Sequence, residues 1–303
     1  MKTLLAIKTY QKNDILFQIL ESIRKCPPGE DLEIVVADDN PGEALEVLDK
    51  FPEVAAYLTG NLHGIWANGD RLLKYFLNIS KAENLLLLDN DIVFTRPGLL
   101  EEIETAAKEC DFCENGTPHE HCGQEHITLF VIDAGGGDGL QATFPYQAIS
   151  KSGKLKWHPG CHGIGLWFTR NLISKVGYMR RQKYFYGGEH SELSHRALRM
   201  QGYAPLSFPV LARSPKYISL NTNDYQAYSV SIDKVYSENT SQVDKWLQSV
   251  YKGEELSLLI PPLDRELVIV QGEQDKWTDT TIKEFLNGNK SSQSRRDRKK
   301  KKK

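Results

Sequence analysis

Two aspartates two positions apart, Asp89 and Asp91, follow the apolar run Leu85-Leu86-Leu87-Leu88 and precede Ile92-Val93-Phe94. An unbroken apolar run bounded by polar residues predicts a strand buried on both faces of a mostly parallel sheet. The carboxyl ends of such strands are where open α/β sheets bind ligands. Side chains alternate along a strand, so Asp89 and Asp91 are expected on one side and Asn90 on the other. Paired carboxylates suit a hard divalent ion, Mg2+ or Mn2+, that keeps positions open for phosphate oxygens. The chemistry implied is a metal-diphosphate site, against the plainer alternative of a polar strand end opening into a turn.

A second segment, Gly187-Gly188-Glu189-His190-Ser191-Glu192-Leu193-Ser194-His195-Arg196, offers groups that move protons. Two glycines ahead of a helix let the backbone turn sharply and approach a ligand. Acidic residues in a first turn complement the helix dipole, and Glu189 and Glu192, three apart, share a face. Glu189 or His190 could accept the proton of an attacking hydroxyl. Helix capping alone is the competing explanation, above all for Glu192.

Regular elements must position these groups, and the first 110 residues alternate strand with helix. Thr3–Thr9 reads as a strand. Asn13–Lys25 carries Ile15, Leu16, Ile19, Leu20 and Ile23 at helical spacing, with Asn13 as N-cap and Cys26-Pro27-Pro28-Gly29 as its stop. Leu32–Ala37 is the second strand, Glu43–Phe51 a short helix and Val54–Leu58 the third strand. Trp66–Ile79 is helical, Asn84–Asp89 is the fourth strand, and Pro97–Glu109 is a helix with Pro97 in its first turn. Such repetition implies right-handed crossovers and a parallel sheet covered by helices on both faces. Farther on come a strand over Ile127–Ala134, the flexible Gly135-Gly136-Gly137-Asp138-Gly139, and a hairpin over Phe144–Trp157 around Ser152-Gly153. A strand over Gly163–Thr169 and helices over Asn171–Val176 and Glu189–Gln201 follow. Helical patterns at 239–251 and 276–288 flank Leu256–Val270. The domains expected are 1–230, a helical extension 231–288 and a disordered polybasic tail 289–303.

Composition narrows the classes. A chain of 303 residues with 26% charged side chains and no long apolar stretch reads as a globular protein with no membrane-spanning helix. Met1-Lys2-Thr3-Leu4-Leu5-Ala6-Ile7 resembles a signal peptide only until Lys8 interrupts it, so it reads as the first strand. Five scattered cysteines suggest no disulfide framework, and the cytoplasm is the expected compartment. Arg295 to Lys303 hold eight basic residues and one acid, leaving thirty bases against thirty-nine acids, a body charge of −9. The tail could hold an anionic membrane surface, making the protein peripheral there, or bind nucleic acid non-specifically, or be solvated. The acidic body argues against specific nucleic-acid binding. Cys110, Cys113, His119, His121, Cys122 and His126 offer ligands for a structural Zn2+, although the spacing matches no standard finger.

Taken in order, the opening strand with Thr9-Tyr10, the second ending Ala37-Asp38-Asp39-Asn40, the fourth ending Leu88-Asp89-Asn90-Asp91 and the later Gly-Gly-Glu-His-x-Glu-Leu-x-x-Arg resemble nucleotide-sugar glycosyltransferases of the GT-A fold, family 2-like, over roughly residues 3–205. The resemblance implies a GT-A type α/β fold, a Rossmann-like mostly parallel sheet with helices on both faces, beside the smaller helical extension. Asp39 would bind the nucleotide base or ribose, with Thr9 and Tyr10 lining the same pocket. Asp89 and Asn90 would lie near the ribose and diphosphate, and Asp89 and Asp91 would hold Mn2+ or Mg2+. Asp38-Asp39-Asn40-Pro41-Gly42 is also good turn chemistry, and Tyr10 could simply pack.

Arg71 could reach the diphosphate or be a surface helix residue, the reading favoured. Glu189 and His190 are the candidate bases. Enzymes of this type often carry Glu-Asp after the glycines, so His190 leaves the stereochemistry open, with inversion slightly favoured. A UDP-sugar is the favoured donor, and a glycan, protein or other hydroxyl the acceptor. Trp157, Trp167 and Tyr186 could be platforms for sugar rings, with core packing as the default. His158 and His162 are alternative metal ligands, more simply loop residues. The other classes considered are a nucleotidyltransferase and a zinc-stapled binding module with a basic tail. The first would favour a glycine-rich loop after the first strand, where this chain has Lys8-Thr9-Tyr10-Gln11-Lys12.

Overall fold

The computed structural model describes residues 1–10, 12–39, 44–60, 64–110, 124–131, 148–158, 164–179, 189–201, 208–221 and 268–270. In chain order the elements are β1 (Thr3–Thr9), α1 (Asn13–Lys25), β2 (Leu32–Asp38), α2 (Leu45–Leu48), β3 (Val54–Thr59), α3 (Ile65–Asn78), β4 (Asn84–Asp89), β5 (Ile92–Phe94) and α4 (Leu99–Lys108). They continue as β6 (His126–Leu129), β7 (Ala148–Ile149), β8 (Leu155–His158), β9 (Gly165–Thr169), α5 (Arg170–Val176), α6 (Glu189–Met200), β10 (Phe208–Leu211), β11 (Ile218–Leu220) and β12 (Val268–Val270).

One ten-stranded sheet has the order β12-β3-β2-β1-β4-β9-β6-β10-β8-β7, and β5 with β11 forms a separate pair. Strands β3, β2, β1 and β4 are parallel neighbours, whereas β9 runs antiparallel to both β4 and β6. Alternation along β1 divides the core. Leu5 and Ile7 pack with α1, α2 and α4, while Leu4 and Ala6 pack with α3, α5 and α6. Helices therefore cover both faces, as the α/β expectation requires. The apolar positions expected on α1 are the ones it buries.

Several boundaries differ from the sequence reading. Asn13, expected as N-cap, is the first helical residue; Lys12 holds the half-in position at φ 110°, with no side-chain cap. Helix α2 keeps only Leu45–Leu48 of the expected span. Pro97 lies ahead of α4, because Gly98 at φ 88° makes the turn into the helix. Strand β6 ends at Leu129. The hairpin is present as β7 and β8, with Gly153 at φ 68° in its turn.

Short strands β5, β10 and β11 were not foreseen, nor was β12, which pairs antiparallel with β3. The 239–251 and 276–288 patterns, the tail 289–303, the glycine run 135–139 and most of the Cys/His loop lie outside the described residues. Among the described residues no helix is long and apolar enough to cross a membrane.

Candidate active site

Strand order reverses at β1: β2 and β3 lie on one side and β4 on the other. Ligands of open α/β sheets bind at the carboxyl ends beside such a reversal. Here β1 ends at Thr9 and β4 at Asp89, with Lys8 opposite Asp89 in register. A cavity of about 80 Å³ opens there, walled by Lys8, Thr9, Tyr10, Asp39, Asn68, Asp89, Asn90 and Asp91 among others.

Lys8 sits at the centre and is 3% exposed. A lysine is buried so deeply only when paired. Its Nζ lies 2.7 Å from Asp89 Oδ1, 3.3 Å from Glu189 Oε1 and 2.6 Å from His190 Nε2. The end of β4 and the start of α6, about 100 residues apart in the chain, are thus joined through one ammonium group. The sequence reading passed over Lys8 as an interruption of an apolar run. The available signal was a lysine inside a buried strand, which demands acidic partners.

Burial works against the Lys8 charge, but the Asp89 and Glu189 carboxylates outweigh it and hold its pKa above the ordinary lysine value. Burial, with Lys8 adding to it, lowers the His190 pKa, so the imidazole is uncharged near neutrality and Nε2 accepts from the ammonium. Burial alone would raise the Glu189 carboxyl, yet the positive field of His190 and Lys8 brings it below the ordinary value. With the imidazole uncharged, Lys8 carries that field. Asp89 is raised, burial prevailing over Lys8 and His190. Its side chain stays 25% exposed, so water softens that penalty.

The remaining residues form a frame around the cavity. Asn90 Nδ2 donates to Thr9 Oγ1 at 2.9 Å, so Asn90 faces the same cavity as the two aspartates. The expected alternation fails because β4 ends at Asp89 and the chain bends. Asp39 accepts from the Gly64 backbone N–H at 2.8 Å, and Gly64 supplies the φ of 112° that opens α3. Asn68, which the sequence reading did not single out, donates to the Thr9 carbonyl at 2.8 Å and accepts from Arg71 Nη1 at 2.6 Å.

Arg71 is 5% exposed, which corrects the surface reading. Its Nη1 lies 3.6 Å from Asp39 Oδ1, behind the cavity wall and not in it. Glu192 grips Arg196 at 2.8 and 3.0 Å, and Arg196 donates to the Val176 and Tyr178 carbonyls. Glu192 is therefore structural, and only Glu189 of the pair reaches the site.

Asp91 Oδ1 is buried without a hydrogen-bond partner. Among the described residues no three His, Cys, Asp or Glu side chains are grouped to hold an ion. The donor set is two carboxylates, one of them shared with Lys8. That fits Mg2+ or Mn2+, which complete their sphere with phosphate oxygens and water, and does not fit an all-protein cage.

The other proposed ligands fall elsewhere. His158 lies in β8, four strands from β4, and His162 is outside the described residues. His126 is buried in β6, stacked 4.3 Å from Phe168, with Nδ1 bonded to the Trp167 carbonyl. Ile127, its neighbour, faces the core that contains Cys110, so His126 faces away and leaves the zinc set. Apart from Cys110, the other loop candidates lie outside the described residues. Trp157 and Trp167 are buried in the core, and Tyr186 is not described.

No family model matches the chain, and no curated protein matches it in sequence. Among solved structures it is similar to the mannosyltransferase PcManGT from Pyrobaculum calidifontis in complex with GDP-Man and Mn2+. Identity is 16%, over 69% of this chain and 54% of that one, at a TM-score of 0.45. It is also similar to S. aureus TarS, at 14% identity over 76% of this chain and 38% of that one, TM-score 0.48. The chain spans about half or less of the length of either structure. Overlap this loose fixes neither activity nor residue roles, and the α/β architecture stands on the strand order itself.

Proposed function

We propose that the chain is a GT-A type glycosyltransferase that moves a sugar from a nucleoside diphosphate donor to an acceptor hydroxyl. One observation carries this reading: Lys8 draws the Asp89 carboxylate and the Glu189-His190 pair to one point beside the cavity at the strand-order reversal. Acid ligands, a fixed positive charge and a candidate base within one site are what displacement of a diphosphate requires.

In this reading Asp39, Thr9 and Tyr10 receive the nucleoside, and Arg71 with Asn68 hold Asp39 and the Thr9 carbonyl in place. Asp91 and Asp89 would hold a divalent ion, which when bound would neutralise charge on the departing diphosphate. Lys8 turns its ammonium toward that diphosphate and releases His190 Nε2. The acceptor oxygen bonds to the anomeric carbon as the bond from that carbon to the diphosphate oxygen breaks. The acceptor proton passes to His190 Nε2, with Glu189 stabilising the imidazolium. A single displacement of this kind, with His190 taking the acceptor proton, would invert the anomeric centre.

The test is a panel of UDP-, GDP-, CDP- and ADP-sugars with Mn2+, scored by thermal stabilisation and slow donor hydrolysis. At least one donor is expected to do both. His190→Ala should then lower transfer far more than donor affinity. Equal losses in both would reduce His190 to packing, and silence across the whole panel would end the reading.

A further inference from the structure

Register sets Lys8 opposite Asp89, and burial to 3% exposure keeps its ammonium among side chains instead of in water. At 2.7 Å from Asp89 Oδ1 the contact has the length of a charge-assisted hydrogen bond. Asp91, two positions on, is half-buried and walls the same cavity as Asp89 and Lys8. Of the two carboxylates suited to a divalent ion, one therefore already holds a cation. Lys8 also lies 3.3 Å from Glu189 Oε1, a partner it keeps if Asp89 is taken from it.

We propose that Lys8 is a resident cation at Asp89 that keeps a bare divalent ion out and gives Asp89 up only when the ion arrives with a diphosphate. Mg2+ sheds its water reluctantly and is held by one or two carboxylates plus substrate phosphates. Mn2+ suits the same oxygen ligands. A bare ion would find Asp91 and a carboxylate already neutralised by an ammonium. On either oxygen of Asp89 it would also lie within the screening length of Nζ, about 8 Å at physiological salt, so the two positive charges repel.

A diphosphate reverses both effects. Its oxygens complete the coordination of the ion, and they accept hydrogen bonds from the ammonium, so Lys8 can turn from Asp89 while keeping Glu189. Metal and diphosphate then favour each other's entry, and linkage makes the factor the same for both. The diphosphate rests on the glycosyltransferase reading; the exclusion of a bare ion rests on the contact between Lys8 and Asp89 alone.

The test is equilibrium dialysis of the full chain against Mn2+, alone and with UDP or GDP on both sides of the membrane. Binding that survives in Asp91→Ala is subtracted as binding elsewhere. In the wild-type chain Mn2+ should bind at least about tenfold tighter with one of the nucleotides than alone, within the usual range of coupling between two ligands. Lys8→Met should tighten the binding of Mn2+ alone by about the same factor and shrink the nucleotide effect. Lys8→Arg, which keeps the charge, should follow the wild type. Should far-UV circular dichroism show Lys8→Met unfolded, Lys8→Gln carries the same prediction, because its amide still donates to both carboxylates. Mn2+ bound by the wild type as tightly without nucleotide as with it overturns the proposal. So does a folded Lys8→Met or Lys8→Gln that takes up bare Mn2+ no better than the wild type; recruitment of Mn2+ by a nucleotide in the wild type would then leave the glycosyltransferase reading intact. Bare Mn2+ taken up by the neutral variants, with no recruitment by either nucleotide in the wild type, would uphold the exclusion and count against that reading instead.

Discussion

Lys8→Met removes the charge that joins the two halves of the candidate site while keeping a side chain of similar length. At an effective dielectric of about 20, the contacts at 2.7 Å to Asp89 and 3.3 Å to Glu189 represent about 6 and 5 kcal/mol of gross attraction. Taking the three ions out of water offsets most of that, at several kcal/mol per ion. The variant, however, leaves two carboxylates without their cation, and breaking a buried pair from one side costs about 3–5 kcal/mol. The 25% exposure of Asp89 places the expected loss near the lower end, about 3 kcal/mol.

Urea unfolding followed by far-UV circular dichroism measures it, since a domain has only about 5–15 kcal/mol to lose. The double variant Lys8→Met/Asp89→Asn separates charge from packing. If the pair interacts as its geometry indicates, the double loss should fall short of the summed single losses by about 1–3 kcal/mol. Additivity within about 0.5 kcal/mol would refute the reasoning and make Lys8 an aliphatic stem that happens to end near acids.

Asp91→Ala should abolish Mn2+-dependent nucleoside diphosphate binding by calorimetry while leaving the unfolding midpoint unchanged or higher, since Oδ1 has no partner to lose; retained binding removes its metal role. Burial lowers the His126 pKa to about 4, so between about 6.5 and 4 the unfolded chain binds a proton that the folded one refuses. Stability attributable to His126 should therefore fall as pH drops through that window, by about 1.4 kcal/mol per unit, and level off below it. His126→Phe should make that slope shallower in urea titrations at pH 7 and 5, with His195, whose pKa burial also lowers to about 4, keeping part of it; an unchanged slope would contradict the burial argument. Gly165→Ala would place a Cβ 2.9 Å from Leu129 Cδ1 and 3.0 Å from Leu88 Cδ2, an overpacking loss of about 1–3 kcal/mol in the same assay. Lys12→Gly should raise the thermal midpoint, because φ 110° is unfavourable for any residue with a Cβ; a lower midpoint would show that the side chain contributes more than the strain removes.

The parallel half of the fold was legible because each of its elements announces itself locally. The β1 and β4 runs are apolar on both faces, and α1 repeats its apolar residues at helical spacing. The antiparallel half was less legible because its strands are short and their partners distant. Phe208-Pro209-Val210-Leu211 contains a proline, which normally argues against an interior strand. It is tolerated here because β10 meets β6 at a single residue pair, Val210 with Thr128, while the Thr128 hydroxyl donates to the Pro209 carbonyl.

At the site, Asp89, Asp91, Glu189 and His190 could be picked out by residue type. Lys8 and Asn68 could not, because their roles follow only from which strand and helix ends meet. Arg71 was misjudged for a related reason. A helix with a wide apolar stripe shows which face is buried, but not that a charged residue at its margin has Asp39 waiting opposite.

Glu189 and His190 arrive on a helix that packs mainly against the α3 and α5 face of the sheet, whereas Asp89 and Thr9 end strands in its centre. Lys8 bonds to both groups at once. A cation shared among three acceptors cannot satisfy a fourth without loosening one. In the proposed reaction the fourth is the diphosphate, and the acceptor held least by charge is the neutral imidazole. Donor binding would then expose the base only when a leaving group is in place, which disfavours activation of water in the empty site. A donor-free enzyme should accordingly show His190 Nε2 shielded, and a complex with nucleoside diphosphate should show it released; 15N shifts of the imidazole in the two states distinguish them, and identical shifts would remove the coupling from the mechanism.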